Sequence, residues 1–506
     1  MKSPRSLVLI TVDCLRADHA GFLGYERPTT PFLDSLAAEG LIFSNAIVAG
    51  APTYFSFPAV MASRYPLSLG RDVVGLAPGE PTIATALNDV GHATAAFLAA
   101  NPYLSPRFGY DAGFSVFKDF LDSEAAPVTE ISDRGKDPTP LNRWNRRLAN
   151  VSHALGPVGV LYDELYFQYC QRLASAPVLS LDQLRRFPAA DVMVDHARDW
   201  LTGIRGQPFF LWLHLMDPHS PYYPRREALE MMGQHSPDAP RARYLNSYWN
   251  RGDLGASRLQ RHRKDVMALY DAGIRWVDAQ VARLVETLRG LGVWENCVMA
   301  LTADHGEEFL DHGGRYHPPS RVSEELVRVP LLLSAPGLTP GTVAAPFSLL
   351  HLAPTLLELV EASVPGSFRG SSHAAPLAAG KSGESDAVVE CISGCKNPFV
   401  VEDRLHARLL AVREARFKLV LDFNSPTKQE QLYDLDSDPG ERRPLLPGAE
   451  KLVRRRLLDR ARQHISDSVQ SRDAGYRLSA RLRDLRLATA MSAPSVGPPP
   501  LPLRLK

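Results

Sequence analysis

Apolar residues along this chain fall into two alternating patterns. The run SLVLITVD (residues 6–13) is apolar and β-branched up to a closing acid, as expected of a buried strand in a parallel sheet. ATAAFLAAN, FFLWLHLMD (209–217), NCVMALTAD and VRVPLLLSAPG repeat that pattern. Between them lie stretches with helical spacing. TPFLDSLAAEG closes at Gly40, PTIATALNDVGH ends on a glycine, and DVMALYDAGIRWVDAQVARLVETLRGLG stops at Gly290 and Gly292. LLHLAPTLLELV reads as a further helix. Strands alternating with helices predict an α/β fold: a mostly parallel sheet sandwiched by helices.

The rhythm breaks in two places. From about 118 to 189 no βα unit is legible, and the aromatic segment YDELYFQY (162–169) reads as an extra packed helix within an insertion. After about Pro365 the chain turns rich in Gly and Ser. HARLLAVREARFKLVLDF then shows period-two alternation, and AEKLVRRRLLDRARQHI reads as a basic helix. The expected organisation is a catalytic domain over 1–375, a small C-terminal α+β subdomain over 386–465 with an antiparallel sheet and a helix, and a basic, Pro-rich tail over 466–506 expected to be disordered. The arginines at 454–456 read as a solvated helix face.

Composition narrows the function classes. With 506 residues and 45% hydrophobic positions the chain can bury a large core. A net charge of +1 and a pI near 7.8 give no overall attraction to nucleic acid or acidic membranes, so any anion selectivity must be local. Five cysteines do not make a disulfide framework, and the Cys391/Cys395 spacing is one residue longer than C-x-x-C. MKSPRSLVLITVD lacks the small residues of a cleavage site, and no run of about 18 apolar residues occurs. A cytoplasmic protein without a spanning segment is expected. Its oligomeric state is left open.

Ligands of open α/β sheets bind beyond the carboxyl ends of the strands. Asp13 follows the first strand, Asp304 and His305 follow NCVMALTA, and His219 follows FFLWLHLMD. Two carboxylates and two imidazoles at three strand ends suggest a metal site beside a second polar cluster. GAPTYFSFPAVMASRYP (50–66) adds hydroxyls at the entry of a helix, where Thr53 or Ser56 could act as a nucleophile or merely cap the helix.

These segments, in this order, resemble the sulfatase family of the alkaline phosphatase superfamily. LITVDCLRADHAG with FPAVMASRYP is similar to the family's opening, and LMDPHSPYYP to its substrate-side histidine segment. LTADHGEEFLDHG with EELVRVPLLLSAPG resembles its second metal segment, and QLYDLDSDPGE its ending. The resemblance spans roughly 5–445. It implies metal ligands at Asp13, Thr53, Asp304 and His305, with Cys14 where many members carry a second acid. It implies a nucleophile at Thr53, and His219 and His317 as candidates for contact with the transferring group or for general acid. Arg16 and Asn101 are further candidates for the substrate side, Arg16 reading equally as a structural ion pair. His312 is expected to be structural.

The sequence departs from the family's best-known branch. C-x-P-x-R or S-x-P-x-R, whose first residue becomes formylglycine, is replaced by TYFSF, with Phe57 at the arginine position. A threonine cannot become formylglycine. Relatives with threonine here, phosphoglycerol transferases among them, attack with the hydroxyl itself. A weak hydroxyl nucleophile needs a cation to stabilise its alkoxide. A nitrogen ligand favours Mn²⁺ or Zn²⁺ over Ca²⁺ or Mg²⁺. The leading expectation is a metal-dependent hydrolase of sulfuric, phosphoric or phosphonic esters acting through a covalent Thr53 intermediate on a small or glycan- or lipid-linked anion. The alternatives are a phosphoglycerol-type transferase, disfavoured because such relatives carry spanning helices, and a non-catalytic anion-binding protein on the same fold.

Overall fold

The structure is a computed structural model that describes residues 4–121, 164–169, 171, 180–204, 206–233, 238–381, 386–395, 397–406, 408–425 and 430–469. Most of the expected insertion and the Pro-rich tail lie outside the described residues.

The central sheet is built from β1 (Ser6–Val12), β2 (Leu41–Ile47), β3 (Ala93–Leu98), β4 (Val116–Lys118), β5 (Phe209–Leu215) and β6 (Cys297–Ala303). A hairpin, β7 (Glu308–Phe309) with β8 (Arg315–Tyr316), follows β6. Then come β9 (Arg328–Ser334), β10 (Gly341–Val343) and β11 (Phe347–Ser348). The order across the sheet is β10-β2-β9-β6-β1-β5-β3-β4, with β11 also on β2. β1 is central and pairs in parallel with β5 and β6, Val12 standing opposite Leu215 and Ala303. All three strands are buried along their whole length, which explains their continuous apolar sequences. β9 runs antiparallel to both β2 and β6, a direction the apolar run VRVPLLLS does not encode.

Helices cover the sheet. The longest, Arg263–Gly290, buries one stripe against it and stops where Gly292 takes a left-handed conformation (φ 69°). The aromatic segment is helical at residues 164–169, with Leu165, Tyr166 and Tyr169 largely exposed.

A second, antiparallel sheet follows: β12 (Ala387–Ile392), β13 (Arg408–Arg413), β14 (Phe417–Asp422) and β15 (Glu430–Asp434). The helix at 451–469 places Leu457 and Ala461 on Val388, Leu410, Val412, Leu419 and Leu432. Its Arg454 and Arg456 pair with Glu430 and Glu414, while Arg455 stays exposed. Buried charges join the two sheets. Lys418 Nζ, on β14, lies 3.1 Å from Glu324 and 2.9 Å from Glu441, and Glu324 sits on the turn of helix that leads into β9. Glu390, on β12, accepts from the Leu67 amide at 2.7 Å and meets His464 Nε2 at 2.8 Å.

Candidate active site

The carboxyl ends of β1, β5, β6 and β3 meet at one edge of the sheet, and the loop after β2 returns to the same edge. Asp13 and Cys14 leave β1, and Asp304 and His305 leave β6. Gly306 lets that turn close: a Cβ there would come within 1.9 Å of the Glu325 carbonyl oxygen. Gly306 also donates its amide to Leu326 O at 2.9 Å.

Asp13 is fully buried and its two oxygens have different neighbours. Oδ2 accepts from Asn101 Nδ2 at 2.9 Å and lies 3.3 Å from His214 Nε2. Oδ1 faces Cys14 Sγ at 3.0 Å and His305 Nε2 at 3.7 Å. One oxygen is thus held while the other is presented to the site. His305 donates from Nδ1 to the Gly306 carbonyl at 2.8 Å. Its Nε2 lone pair is thereby directed at Thr53 Oγ1 (3.1 Å), Asp304 Oδ2 (3.5 Å) and Asp13.

Thr53 is the first residue of the helix Thr53–Ala62. The helix therefore begins ahead of Ser56, and Thr53 is not its cap. The preceding residue is Pro52, whose carbonyl accepts from the Phe55 and Ser56 amides. The Thr53 hydroxyl meets His305, whereas the rival hydroxyl of Ser56 is buried with no hydrogen-bond partner. Phe57, in place of the arginine, packs against Trp212 and edge-on to the His214 ring.

Two carboxylates buried in one site cannot share a titration range. Burial raises Asp13, but the neighbouring imidazoles, His219 first, overcome this and hold it well below the usual carboxylate range. Asp304 is pushed up by burial and by the Asp13 charge. Asp304 Oδ2 has no hydrogen-bond partner. Two carboxylate oxygens, an imidazole nitrogen and a hydroxyl converge on this spot, and the orphaned oxygen marks it as a place that a divalent cation fits.

The opposite wall carries His219 and His317, with ring centroids 5.2 Å apart. His317 also lies 4.6 Å from the His305 ring. Burial lowers His219. Burial opposes His317 as well, yet the Glu307 carboxylate raises it on balance.

Two of the candidate substrate residues have other partners. The Arg16 guanidinium grips Asp18 and Asp311 and donates to the Glu307 carbonyl at 2.9 Å, the structural ion pair the sequence also allowed. The Asn101 side chain serves Asp13 through Nδ2 and the Tyr103 amide through Oδ1. His312 pairs with Glu325 at 3.5 Å. Two site residues escaped the sequence reading. His214 is a lone polar residue inside an apolar strand, its Nδ1 3.0 Å from Thr11 Oγ1. Glu307 is fully buried beside His317. The signals were present, a histidine within FFLWLHL and the acid that directly follows ADHG, but neither stands at the end of a predicted strand.

Comparison with known proteins identifies the family and the fold. Residues 5–362 match the sulfatase family model, and residues 315–464 match the C-terminal model of N-sulphoglucosamine sulphohydrolase. An arylsulfatase of Clostridium perfringens is 25% identical over 93% of this chain and 95% of its own. Bovine arylsulfatase A is 26% identical over 89% of this chain and 85% of its own. The solved structure of a phosphonate monoester hydrolase from Silicibacter pomeroyi superposes with a TM-score of 0.64 at 20% identity, over 93% of this chain and 96% of that one.

Proposed function

The chain belongs to the sulfatase family, and from that premise we propose that it hydrolyses phosphonate, phosphate or sulfate esters with the Thr53 hydroxyl as nucleophile. Phosphorus centres are favoured because an alkoxide attacks them readily. Relatives include both arylsulfatases and, by fold, phosphonate monoester hydrolases. One observation carries the reading: Thr53 Oγ1 opens a helix 3.1 Å from His305 Nε2, in the cluster formed by Asp13 and Asp304.

Asp13, Thr53, Asp304 and His305 would hold the divalent cation on which this metal-dependent family relies. When bound it supplies positive charge that eases ionisation of the hydroxyl and draws on a substrate oxygen. The donor set suits Mn²⁺ or Zn²⁺. Asn101 and His214 orient Asp13 so that Oδ1 faces the site. The first-turn amides of Thr53 and Tyr54 have no acceptor within the helix, and they stand beside the nucleophile where an anion would be bound. Arg16 fixes the loop that carries Glu307. Phe57, Trp212 and Tyr110 exclude water behind the nucleophile. His219 and His317 face the anion's outer oxygens and the leaving oxygen.

The test is a matched set of nitrophenyl esters: sulfate, phosphate monoester, phosphate diester and phenylphosphonate. Metal-stripped protein is reloaded with Mn²⁺ or Zn²⁺, and Thr53→Ala is run beside the wild type. Turnover of at least one phosphorus ester is expected, falling on the order of 10⁴-fold or more in the variant. Turnover that survives in Thr53→Ala would transfer the attack to another group.

A further inference from the structure

Next to the Asp13–Asp304–His305 cluster a second set of donors converges, of a softer chemical kind. Cys14 Sγ lies 3.4 Å from His317 Nδ1, and Glu307 Oε2 lies 3.4 Å from the same nitrogen. Ligand atoms of Cys14, His219 and His317 all fall within 4.8 Å of one another. We propose that Cys14, His219 and His317, closed by Glu307, form a second cation site that takes a thiophilic divalent ion of the Zn²⁺ type. The proposal goes beyond the esterase reading and does not depend on Thr53.

Four observations support it. The first is spacing. In a tetrahedral zinc site with Zn–S about 2.3 Å and Zn–N about 2.1 Å, neighbouring ligand atoms stand roughly 3.5 Å apart. The Cys14–His317 and Glu307–His317 separations already match that edge.

The second is ring orientation. His219 donates from Nδ1 to the Ser220 carbonyl at 2.5 Å, which leaves Nε2 with its lone pair for a ligand. Metal-binding histidines are commonly fixed in this way, and His305 is fixed likewise through Gly306.

The third is an unsatisfied acid. Glu307 is 0% exposed, its Oε1 has no hydrogen-bond partner, and among the described residues its carboxylate meets only the His317 imidazole and the Cys14 thiol, with no Lys or Arg paired to it. Arg16, the nearby guanidinium, bonds the Glu307 backbone carbonyl and not the carboxylate. A buried carboxylate left in this state calls for a cation.

The fourth is the charge available to a bound anion. Among the described residues no Lys or Arg side chain pairs with Asp13, Asp304 or the Glu307 carboxylate, and Phe57 occupies the arginine position. A second ion would supply positive charge that arginine would otherwise bring. Contact of His219 and His317 with the anion then runs through the ion they hold. Thiolate, imidazole and a single carboxylate select Zn²⁺-like ions over Ca²⁺ or Mg²⁺. Cys14 Sγ stands between the two sites, 3.0 Å from Asp13 Oδ1 and 3.4 Å from His317 Nδ1, so cysteine at position 14 brings a thiolate ligand within reach of the second site.

The experiment counts metal. Protein stripped by chelator is reloaded with Zn²⁺, separated from free ion and measured for metal per chain. Wild type should carry about two equivalents, and Cys14→Ser and Glu307→Gln about one, each checked for folding by circular dichroism. Reloading with Co²⁺ should give a thiolate-to-metal charge-transfer band in wild type that is absent in Cys14→Ser. If the serine variant does not fold, Cys14→Asp replaces it and must also lose the band. One equivalent in wild type, or a band that persists without Cys14, overturns the proposal. A single equivalent together with Thr53-dependent turnover would sink the second site alone. Two equivalents with turnover in Thr53→Ala would sink the nucleophile reading alone.

Discussion

His214→Phe isolates the contribution of a residue that should act on the first cation site only through Asp13. The ring is fully buried, edge-on to Phe57 at 5.2 Å, so a phenyl group fits the same space. Both ring nitrogens lose their partners: Nδ1 its contact with Thr11 Oγ1 at 3.0 Å, and Nε2 its contacts with Asp13 Oδ2 at 3.3 Å and Asn101 Nδ2 at 3.4 Å. Thr11 Oγ1 keeps its bonds with Trp212 Nε1 and Leu213 O, and Asp13 Oδ2 keeps Asn101. No buried atom on either partner is stripped of all partners. The metal-free protein should therefore lose only about 1–3 kcal/mol, the net worth of two hydrogen bonds, one to a charged group. Metal affinity should fall roughly 10–100-fold, as when an orienting partner of a ligand is removed. That corresponds to about 1.4–2.7 kcal/mol. Competition against a colorimetric chelator measures the affinity, and urea unfolding without metal measures the stability. Affinity within about threefold of wild type would show that Asn101 alone orients Asp13. A loss beyond about 10³-fold would make His214 a ligand itself, against the assignment here.

Other predictions address the joint between the two sheets and the loop behind the site. Lys418→Met leaves Glu441 and Glu324 facing each other in the interior, and urea unfolding should show a loss of about 3–5 kcal/mol; a loss below about 1 kcal/mol would mean the acids find other partners or take up a proton cheaply. Burial raises Glu390, but His464, Arg408 and the Leu67 amide more than offset this and hold it below the usual range. Its contribution to stability is therefore present above the unfolded carboxylate pKa and disappears as pH falls through the lower folded value. Unfolding curves of wild type and Glu390→Gln should converge in acid below about pH 4 and separate above it; a constant gap across that window would refute the assignment. Arg16→Met should lower turnover by loosening the loop that carries Glu307 and Asp311, while leaving the KM for the anionic ester nearly unchanged, because its guanidinium is committed to Asp18 and Asp311. A selective rise in KM would show that Arg16 meets the substrate after all.

The sequence alone was enough to find β1, β3, β5, β6 and β9, because each is a short apolar run between polar turns, but not β2, whose run is broken by Ser44 and Asn45. It also pointed to Asp13, Asp304, His305 and His219, because an acid or imidazole just past such a run is placed at the sheet edge by chain connectivity. The entry to the helix at Thr53 was legible, though its first residue was not, since Pro52 sets the boundary through backbone bonds that composition does not reveal. Other features were settled only in three dimensions. The order β6-β1-β5-β3 brings His214 and Asn101 onto one oxygen of Asp13, though they lie 201 and 88 residues away in sequence. The direction of β9 depends on its neighbours, since an apolar strand buried on both faces reads alike either way. Arg16 is adjacent in sequence to the site but turns towards Asp18 and Asp311, because those acids sit where its side chain can reach. The meeting of Cys14, Glu307, His219 and His317 needs three separate loops to close over one point. Local sequence determines which chemistry each strand end carries, and packing determines which of those ends share a site.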